Sequence, residues 1–352
     1  MRKKRVLTGM SGGIDSTVTV ILLQQMGYEV IGATLHLFDH PYGSGSMEKI
    51  KEIASSLNIV HTIIDKRPYF RESIVAGFID DYLQGETPSI CIRCNPVMKF
   101  PALLEAAKKM HCDYIATGHY VRVVQECNAY WLYRGKDAIK DQSYFLWRLS
   151  QNILKKWITP LGGLTKDETR SIAIKKGFSA ISNNKESMGV CFLQNKNYRD
   201  FLQVHAPEAL KRIGEGTIIN EAGTIIGKHK GFPFYTIGQK QGLALNTGGK
   251  PAVININPKT NTLTTGPEDK LYTNSFLLKD HMLRIPLEEL TNTGISVWVR
   301  GIGRNPKLPP QSVTRQGDYL KVTLNDKAWA MAPGQPVVFY KGDKVVGGGI
   351  VK

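Results

Sequence analysis

The sequence is short of three things: long apolar runs, cysteine and acidic side chains. Its longest apolar run, residues 18–23, is interrupted by Thr19 and is far shorter than the ~18–20 residues of a membrane-spanning helix. The basic residues 1–5 are followed by only two apolar residues before Gly9, too few for the core of a signal peptide. Five cysteines, an odd count in 352 residues, argue against a disulfide framework. These absences predict a cytoplasmic protein with no membrane partner.

The charge balance is strongly basic, with 46 Lys and Arg against 30 Asp and Glu and a net charge of +16. Residues 151–250 hold 15 basic and 7 acidic side chains, an excess of +8 in under a third of the chain. This local excess favours a polyanionic partner, and a passive basic surface is the alternative. At roughly 150 residues per domain, the length predicts two or three folded domains.

The first half of the chain alternates strand and helix patterns. Strands are predicted at 5–9, 28–38, 59–65 and 113–118, and helices at 16–26, 47–57, 69–83 and 96–110. We predict a loop at 85–94, a hairpin at 121–134 and a further helix that starts at Thr165, where a capping box is formed with Glu168. This alternation is typical of an α/β domain with a doubly wound parallel sheet.

From about residue 210 the pattern becomes β, with hairpins at 217–227 and 252–265 and strands up to residue 351. We predict three domains: an α/β domain at 1–200, a small, mainly β central domain at 201–269, and a C-terminal β domain at 270–352.

A glycine-rich loop joins the first strand to the first helix and is predicted to bind phosphate. Its residues are Gly9, Met10, Ser11, Gly12, Gly13, Ile14, Asp15 and Ser16. Small residues let backbone N–H groups approach an anion at a helix N-terminus. Asp15 would repel phosphate directly, so we assign it to Mg²⁺ that neutralises a leaving pyrophosphate. The alternative is a tight turn capped by Ser and Asp, and neither a Walker loop nor a dinucleotide Gly-x-Gly-x-x-Gly occurs in the sequence.

The cysteines divide into two groups. Cys91 and Cys94 form a Cys-x-x-Cys pair beside Arg93, where a thiol at a helix N-terminus is expected to be nucleophilic, and Cys191 lies in a segment of small residues. Cys112 and Cys127 are predicted to be structural. A zinc ribbon would need a second Cys-x-x-Cys pair, which the sequence does not contain.

The Ser-Gly-Gly-x-Asp-Ser loop resembles the PP-loop of ATP pyrophosphatases, a superfamily with an adenine nucleotide alpha hydrolase-like fold. Over nearly its whole length the chain resembles tRNA-specific 2-thiouridylases, in the segments 9–16, 87–88, 94–95, 99–100, 113–120, 140–145, 187–192, 234–243 and 333–340. The resemblance implies a PP-loop domain, a small central domain and a C-terminal β-barrel that contacts tRNA. It also implies the reaction, in which ATP adenylates O2 of the wobble uridine (U34), pyrophosphate leaves, and sulfur replaces the oxygen.

The resemblance further implies roles for individual residues. Cys94 matches the catalytic cysteine, and Cys191 matches the cysteine that carries a persulfide and later forms a disulfide with Cys94. Gly118 and Leu35 match ATP-contacting positions. Positions facing tRNA are matched by His119, Lys140, Asp141, Gln142 and Gln335, and more loosely by Arg300 and Arg304. The implied partners are tRNAs of the Glu, Gln and Lys types and a sulfur donor such as a cysteine desulfurase or a sulfur relay protein.

Two departures from the family pattern leave alternatives open. Arg300-Gly301-Ile302-Gly303-Arg304 replaces the basic-aromatic Arg-Tyr-Arg stretch of the C-terminal barrel, so a stacking residue is missing there. Ser89-Ile90-Cys91 replaces the Asn-Pro-Asp or Asn-Pro-Cys of many members, which puts the contact with the target base in doubt. Cys91 is either a bystander in a persulfide scheme or, with Cys94 and Cys191, a ligand of a [4Fe–4S] cluster with one open iron. A small-molecule ligase and an RNA-binding protein with an inactive PP-loop are the competing functions. The basic excess in residues 151–250 and the paired thiols disfavour the ligase, and the intact loop together with Cys94 and Cys191 disfavours the inactive RNA-binding protein.

Overall fold

The structure, a computed structural model, describes residues 2–39, 45–182, 189–193, 196–243, 245, 251–299 and 305–352. The chain divides into two compact units. The first comprises Met1–Ile74, Cys91–Ser187 and Asp343–Val345, and the second comprises Val75–Ile90, Met188–Gly342 and Val346–Lys352. No helix in the described ranges is both long and apolar enough to cross a membrane.

The helices and strands are distributed as the sequence pattern predicts, with helices mostly in the first two-thirds. The α-helices are α1 Ile14–Gln25, α2 Gly45–Ser56, α3 Arg67–Tyr69, α4 Ala76–Leu83, α5 Ile90–Cys94, α6 Phe100–Lys109, α7 Gln151–Leu154, α8 Lys166–Lys175, α9 Ser179–Ser182, α10 Tyr198–His205 and α11 Pro207–Ile213. Two π-helical segments, Phe70–Val75 and Asn95–Lys99, and six short 3₁₀ segments, Ser143–Phe145, Pro160–Gly163, Cys191–Leu193, Phe232–Phe234, Glu268–Leu271 and Leu287–Thr291, complete the described helical residues.

The described strands fall into three sheets. They are β1 Arg5–Gly9, β2 Glu29–His36, β3 Val60–Asp65, β4 Tyr114–Ala116, β5 Val121–Glu126, β6 Ala129–Arg134, β7 Trp157–Ile158, β8 Gly216–Ile219, β9 Ile225–His229, β10 Ala252–Asn257, β11 Thr262–Gly266, β12 Tyr272–Leu283, β13 Ile295–Val299, β14 Pro310–Gln316, β15 Tyr319–Trp329, β16 Pro336–Lys341 and β17 Lys344–Val351.

The first unit is built on a five-stranded sheet in the order β3-β2-β1-β4-β7, with every pairing parallel. β1 lies at the centre, where Leu7 pairs with Ile31 on one side and Ile115 on the other. Its three middle residues, Val6, Leu7 and Thr8, are buried because helices cover both faces of such a sheet. The strand order reverses at β1, so the predicted doubly wound parallel sheet is confirmed.

The predicted loop is confirmed at 85–89 but wrong at 90–94, and the predicted helix start at Pro96 is also wrong. The helix begins at Ile90 as α5 and continues through the π-helical segment Asn95–Lys99 into α6. Pro96 lacks an N–H group and was expected at the start of a helix. The wider turn accommodates the proline, because the N–H of Phe100 donates to the carbonyl of Asn95, five residues back.

The second unit is predominantly β. The sheet β10-β11-β8-β9 covers a core that includes Ile218, Phe232, Val253 and Leu263. The strands β13, β16, β17, β12, β15 and β14 follow one another in an antiparallel sheet. The change from α/β to β after about residue 210 is confirmed, while the domain boundaries at 200 and 269 stay predictions.

Candidate active site

The glycine-rich loop lies in the first unit, between the end of β1 and the start of α1. Its backbone is drawn together by Ser16, whose hydroxyl donates to the carbonyl of Gly13 (3.0 Å) and accepts from the N–H of Ser11 (3.2 Å). Gly12 has φ +74°, and a Cβ atom there would lie 2.9 Å from Cγ1 of Ile50. Glycine at this position therefore allows both the conformation and the close packing of the loop. The loop has the form of an anion site at a helix N-terminus.

Asp15, in the first turn of α1, forms an ion pair that the sequence analysis did not foresee. Its Oδ1 and Oδ2 atoms accept from the Nζ atom of Lys166 at 2.7 Å and 2.9 Å, and Oδ1 also accepts from the hydroxyl of Tyr120 at 2.7 Å. The side chain of Lys166 is only 6% exposed and that of Asp15 is 33% exposed. The carboxylate assigned to Mg²⁺ is thus held by two donors of the protein itself.

Lys166 is held by the start of α8. It is the first residue of that helix, directly after Thr165, which forms the predicted capping box with Glu168. The backbone N–H of Lys166 donates to Oδ2 of Asp137 at 2.9 Å. That hydrogen bond is the largest cause of a lowered pKa at Asp137, so this carboxylate stays ionised. α8 also packs with α1 in an apolar cluster that includes Ile14, Val18, Tyr120, Leu161 and Ala173.

The two positions matched to ATP contacts lie at the same edge of the sheet as the loop. Gly118 follows β4, and a Cβ atom there would lie 2.8 Å from the carbonyl carbon of Asp15 and 2.9 Å from the backbone nitrogen of Ser16. Leu35 is half-buried on β2, two residues beyond Ala33, which pairs with Gly9. Ligands of doubly wound sheets bind at the carboxyl ends of the strands beside such a reversal of order. The structure therefore places the loop, Gly118 and Leu35 at one edge of the sheet, where the reversal of strand order predicts a binding crevice.

His119 is embedded beside this crevice. Its ring stacks on Phe100, with 6.1 Å between centroids, and meets Trp157 edge-on at 5.7 Å. Its Nδ1 atom shares a hydrogen bond of 2.7 Å with the hydroxyl of Thr117. Burial lowers the pKa of His119 to about 3, so the ring is neutral at physiological pH. Its predicted contact with tRNA stays a prediction and would involve a neutral imidazole.

The segment Lys140, Asp141 and Gln142 follows the β5–β6 hairpin. Asp141 accepts from the backbone N–H groups of Gly135 (3.1 Å) and Ser143 (3.2 Å) and from the Ser143 hydroxyl, and burial raises its pKa. Oε1 of Gln142 accepts from the backbone N–H of Tyr120 at 3.0 Å. These two side chains bind within their own unit, and their role toward tRNA stays a prediction, as does that of the half-buried Lys140.

The cysteines differ in exposure. Cys94, the last residue of α5, is 4% exposed, Cys91 is half-buried, and Cys191 is exposed at the start of a 3₁₀ segment. Cys91 and Cys94 belong to the first unit and Cys191 to the second. Within the ranges that the structure describes, no group of three or more His, Cys, Asp or Glu side chains is placed to hold a metal ion.

Of the remaining predicted tRNA contacts, Gln335 lies in the second unit. Its Nε2 atom donates to the carbonyl of Thr87 at 2.6 Å, and this bond fixes the Thr-Pro segment that precedes α5. Arg300 and Arg304 lie outside the described residues.

Comparison with known proteins decides the family. Three family models match in succession: the tRNA methyl transferase HUP domain at residues 4–195, the tRNA methyl transferase PRC-barrel domain at 199–267 and the aminomethyltransferase beta-barrel domain at 292–351. A tRNA-specific 2-thiouridylase MnmA 3 from Bacteroides fragilis is 41% identical over 350 residues, which is 99% of this chain and 94% of that protein. The tRNA-specific 2-thiouridylase MnmA of Amoebophilus asiaticus is 38% identical over 364 residues, covering 100% and 96%.

The chain belongs to the tRNA-specific 2-thiouridylase family. This confirms the resemblance seen in the sequence and identifies the chain as an enzyme of a tRNA-sulfurtransferase family. The HUP domain, the middle barrel domain and the C-terminal barrel domain confirm the predicted fold class.

Two solved structures match part of the chain at low sequence identity. The U34-tRNA thiolase NcsA from Methanococcus maripaludis, with its [4Fe-4S] cluster, matches with a TM-score of 0.35 and 18% identity over 58% of this chain and 67% of that one. The NMN synthetase from Francisella tularensis matches with a TM-score of 0.36 and 17% identity over 59% and 81%.

Two site residues were not singled out from the sequence: Lys166 and Tyr120. Tyr120 ends the segment 113–120 that carries the family resemblance, and Lys166 follows the cap residue Thr165, yet no local pattern shows that either side chain reaches Asp15. Lys166 and Asp15 are 151 positions apart. Only the packing of α8 against α1 brings them together.

Proposed function

We propose that the enzyme catalyses ATP-dependent 2-thiolation of U34 in tRNA. Oxygen O2 of the uridine attacks the α-phosphorus of ATP and pyrophosphate leaves. Sulfur then adds at C2 and AMP departs with the original oxygen, giving 2-thiouridine. The observation that carries the proposal is the glycine loop, with Asp15 and Gly118 beside it, in a chain that matches named 2-thiouridylases over nearly its whole length.

The residues of the crevice suit the first half-reaction. Backbone N–H groups of the loop and the N-terminus of α1 would bind the phosphates. Asp15 would hold Mg²⁺, which prefers one or two carboxylates together with phosphate oxygens, and its Oδ2 atom accepts only one hydrogen bond in the structure. The metal would neutralise charge on the departing pyrophosphate.

The thiols suit the second half-reaction in a persulfide scheme. Cys191 is exposed and can receive sulfur from a donor protein, whereas Cys94 is buried. The terminal sulfur of the Cys191 persulfide bonds to C2. The Cys94 thiolate attacks Sγ of Cys191, which cleaves the S–S bond and leaves a Cys94–Cys191 disulfide that a cellular thiol must reduce. The alternative, a [4Fe–4S] cluster held by Cys91, Cys94 and Cys191, is separated from this scheme by the Cys91→Ser variant.

The partners follow from this reaction. Its substrates would be tRNAs of the Glu, Gln and Lys types, its sulfur would come from a cysteine desulfurase or a relay protein, and its compartment would be the cytoplasm. A polyanion such as tRNA fits the net charge of +16.

Nucleoside analysis tests the proposal. The protein would be incubated with ATP, Mg²⁺, a persulfide donor and tRNA transcripts that differ only in carrying U34 or C34. We expect 2-thiouridine from the U34 transcripts alone, in an amount that depends on ATP. ATP cleavage stimulated by a small amine or acid but not by tRNA would favour the ligase, and tRNA binding without ATP cleavage would favour the inactive RNA-binding protein.

A variant of Cys91 separates the persulfide route from the cluster route. Under anaerobic reconstitution, the persulfide route predicts that wild type and Cys91→Ser thiolate tRNA at similar rates without bound iron. Iron bound by the wild type, with iron and activity both lost in Cys91→Ser, would instead make Cys91 a cluster ligand and contradict the persulfide route.

A further inference from the structure

The contact between Lys166 and Asp15 is unusual because it places an ammonium group in the interior of the first unit. Removing a charged group from water carries a penalty of several kcal/mol, which the partner must offset. The side chain of Lys166 is 6% exposed, and its Nζ atom lies within hydrogen-bond distance of both oxygens of Asp15. The partner is the one carboxylate of the glycine loop.

Both donors to this carboxylate are themselves fixed. The backbone of Lys166 is anchored by the bond from its N–H group to Asp137 and by the capped start of α8. Tyr120 is 2% exposed, its backbone N–H donates to Gln142, and its ring lies 5.7 Å from the Lys166 ammonium. An ordered ammonium and an ordered phenol therefore meet at Asp15.

The number of hydrogen-bond acceptor positions on Asp15 can be compared with the number that Lys166 and Tyr120 occupy. An ionised carboxylate offers about four acceptor positions, two on each oxygen. Among the described residues, Oδ1 accepts from Lys166 and Tyr120, and Oδ2 accepts from Lys166 alone. One position remains, on Oδ2. Rotation of the carboxylate would break at least one charge-assisted hydrogen bond, so its orientation is restricted.

We propose that Lys166 and Tyr120 are positioning residues that hold Asp15 in one orientation and leave a single acceptor position on Oδ2 for the metal ion of the nucleotide. This inference rests on the proposed use of ATP at the glycine loop. The competing explanation is that the pair only fastens α8 to α1. In that case its loss lowers stability and leaves metal binding by the folded protein unchanged.

Metal affinity, measured apart from turnover, tests the inference. Mn²⁺ would be titrated into the full chain in the presence of a non-hydrolysable ATP analogue, and free Mn²⁺ would be followed by electron paramagnetic resonance. Because a charge-assisted hydrogen bond is lost, we expect Lys166→Met to weaken Mn²⁺ binding by roughly 10-fold or more and Tyr120→Phe by roughly 3-fold or more. Lys136→Met is the matched control. It also removes a lysine that pairs with a carboxylate of α8, but the pair, Lys136 with Glu168, is half-exposed and does not include Asp15.

A double variant shows whether Lys166 acts through Asp15. If it does, Asp15→Asn and Asp15→Asn with Lys166→Met should bind Mn²⁺ equally weakly. In turnover, Lys166→Met should lower kcat and leave KM for tRNA unchanged. Folded Lys166→Met that binds Mn²⁺ within twofold of wild type, or more tightly because a repelling positive charge is gone, would overturn the inference, whatever its melting temperature. If Lys166→Met does not fold, Tyr120→Phe decides by the same criterion.

Failure of the positioning role and failure of the proposed thiolation would give different results. A wild-type protein that binds Mn²⁺ with the nucleotide but makes no 2-thiouridine would refute the proposed function and leave the positioning role in place. If the wild-type protein makes 2-thiouridine while Lys166→Met and Tyr120→Phe both bind Mn²⁺ normally, the positioning role is refuted and the proposed function is supported.

Discussion

Replacing Gly118 by alanine should disturb the proposed ATP site, because the atoms that it approaches belong to the start of α1. The new Cβ would lie 2.8 Å from the carbonyl carbon of Asp15, 2.9 Å from the nitrogen of Ser16 and 3.0 Å from the Cβ of Asp15. Two of these atoms belong to the backbone at the start of α1, so no flexible side chain can swing away. Either the end of β4 or the start of α1 must move.

The loss of stability in Gly118→Ala can be estimated from the usual free-energy cost of overpacking. Adding a methyl group to a filled site costs about 1–3 kcal/mol. For a domain of this size, ~1 kcal/mol lowers the melting temperature by roughly 2–4 °C, so we expect a loss of roughly 2–12 °C. Because the displaced atoms carry Asp15, KM for ATP should rise as well, while tRNA affinity should change little.

Thermal denaturation and pyrophosphate release as a function of ATP concentration measure both effects. Gly163→Ala is the matched control, because a Cβ atom at Gly163 would meet nothing within 4 Å. If Gly118→Ala has the melting temperature and KM for ATP of the wild type, the close approach seen in the structure does not constrain the site and the reasoning is refuted.

Three further predictions follow from the site. Asp15→Asn should abolish tRNA-dependent pyrophosphate release and leave tRNA binding nearly intact, as measured by filter binding, and a variant that still adenylates tRNA at the wild-type rate would refute the role of Asp15. The affinity for tRNA should fall steeply with salt, with a log–log slope of roughly −3.5 to −4.5 for about 5 phosphate contacts, and a slope shallower than about −1 would show that the basic excess is not used for docking. Burial lowers the pKa of His119 in the folded state from its ordinary value of 6.5 to about 3. Below pH 6.5 the unfolded state therefore takes up a proton that the folded state does not. The free energy of unfolding should be at its full value above pH 6.5 and decrease toward pH 3. Between pH 8 and 5 the free energy of unfolding, measured with urea, should fall by roughly 1–2 kcal/mol in the wild type and by less in His119→Gln. Equal losses in both proteins would contradict the lowered pKa of His119.

The parts of the fold that were predictable are those whose signal is local. β1 was predictable because its adjacent apolar residues, Val6 and Leu7, fit a short strand with both faces covered. The start of α8 was predictable because Thr165 and Glu168 form a capping box within four residues. In contrast, Pro96 misled the prediction, since a π-helical segment can accommodate a proline that would otherwise mark a helix start. β7 has only two residues, too few for any periodicity to show.

The same distinction between local and distant contacts applies to the candidate site. The glycine loop is contiguous, so its chemistry could be inferred from residue types alone. The partners of Asp15 could not be inferred, because Lys166 and Tyr120 reach it only through the packing of α8 and the end of β4 against α1. The burial of His119 between Phe100 and Trp157 likewise depends on contacts between distant segments.

The central claim is that ATP activates O2 of U34 before sulfur replaces it, and an isotope label tests it most directly. A tRNA whose U34 carries oxygen-18 at O2 would be thiolated in a single turnover, and AMP and 2-thiouridine would be analysed by mass spectrometry. The account predicts one AMP for each 2-thiouridine, with the oxygen-18 label in the AMP phosphate. Formation of 2-thiouridine with unlabelled AMP, or without AMP, would contradict it.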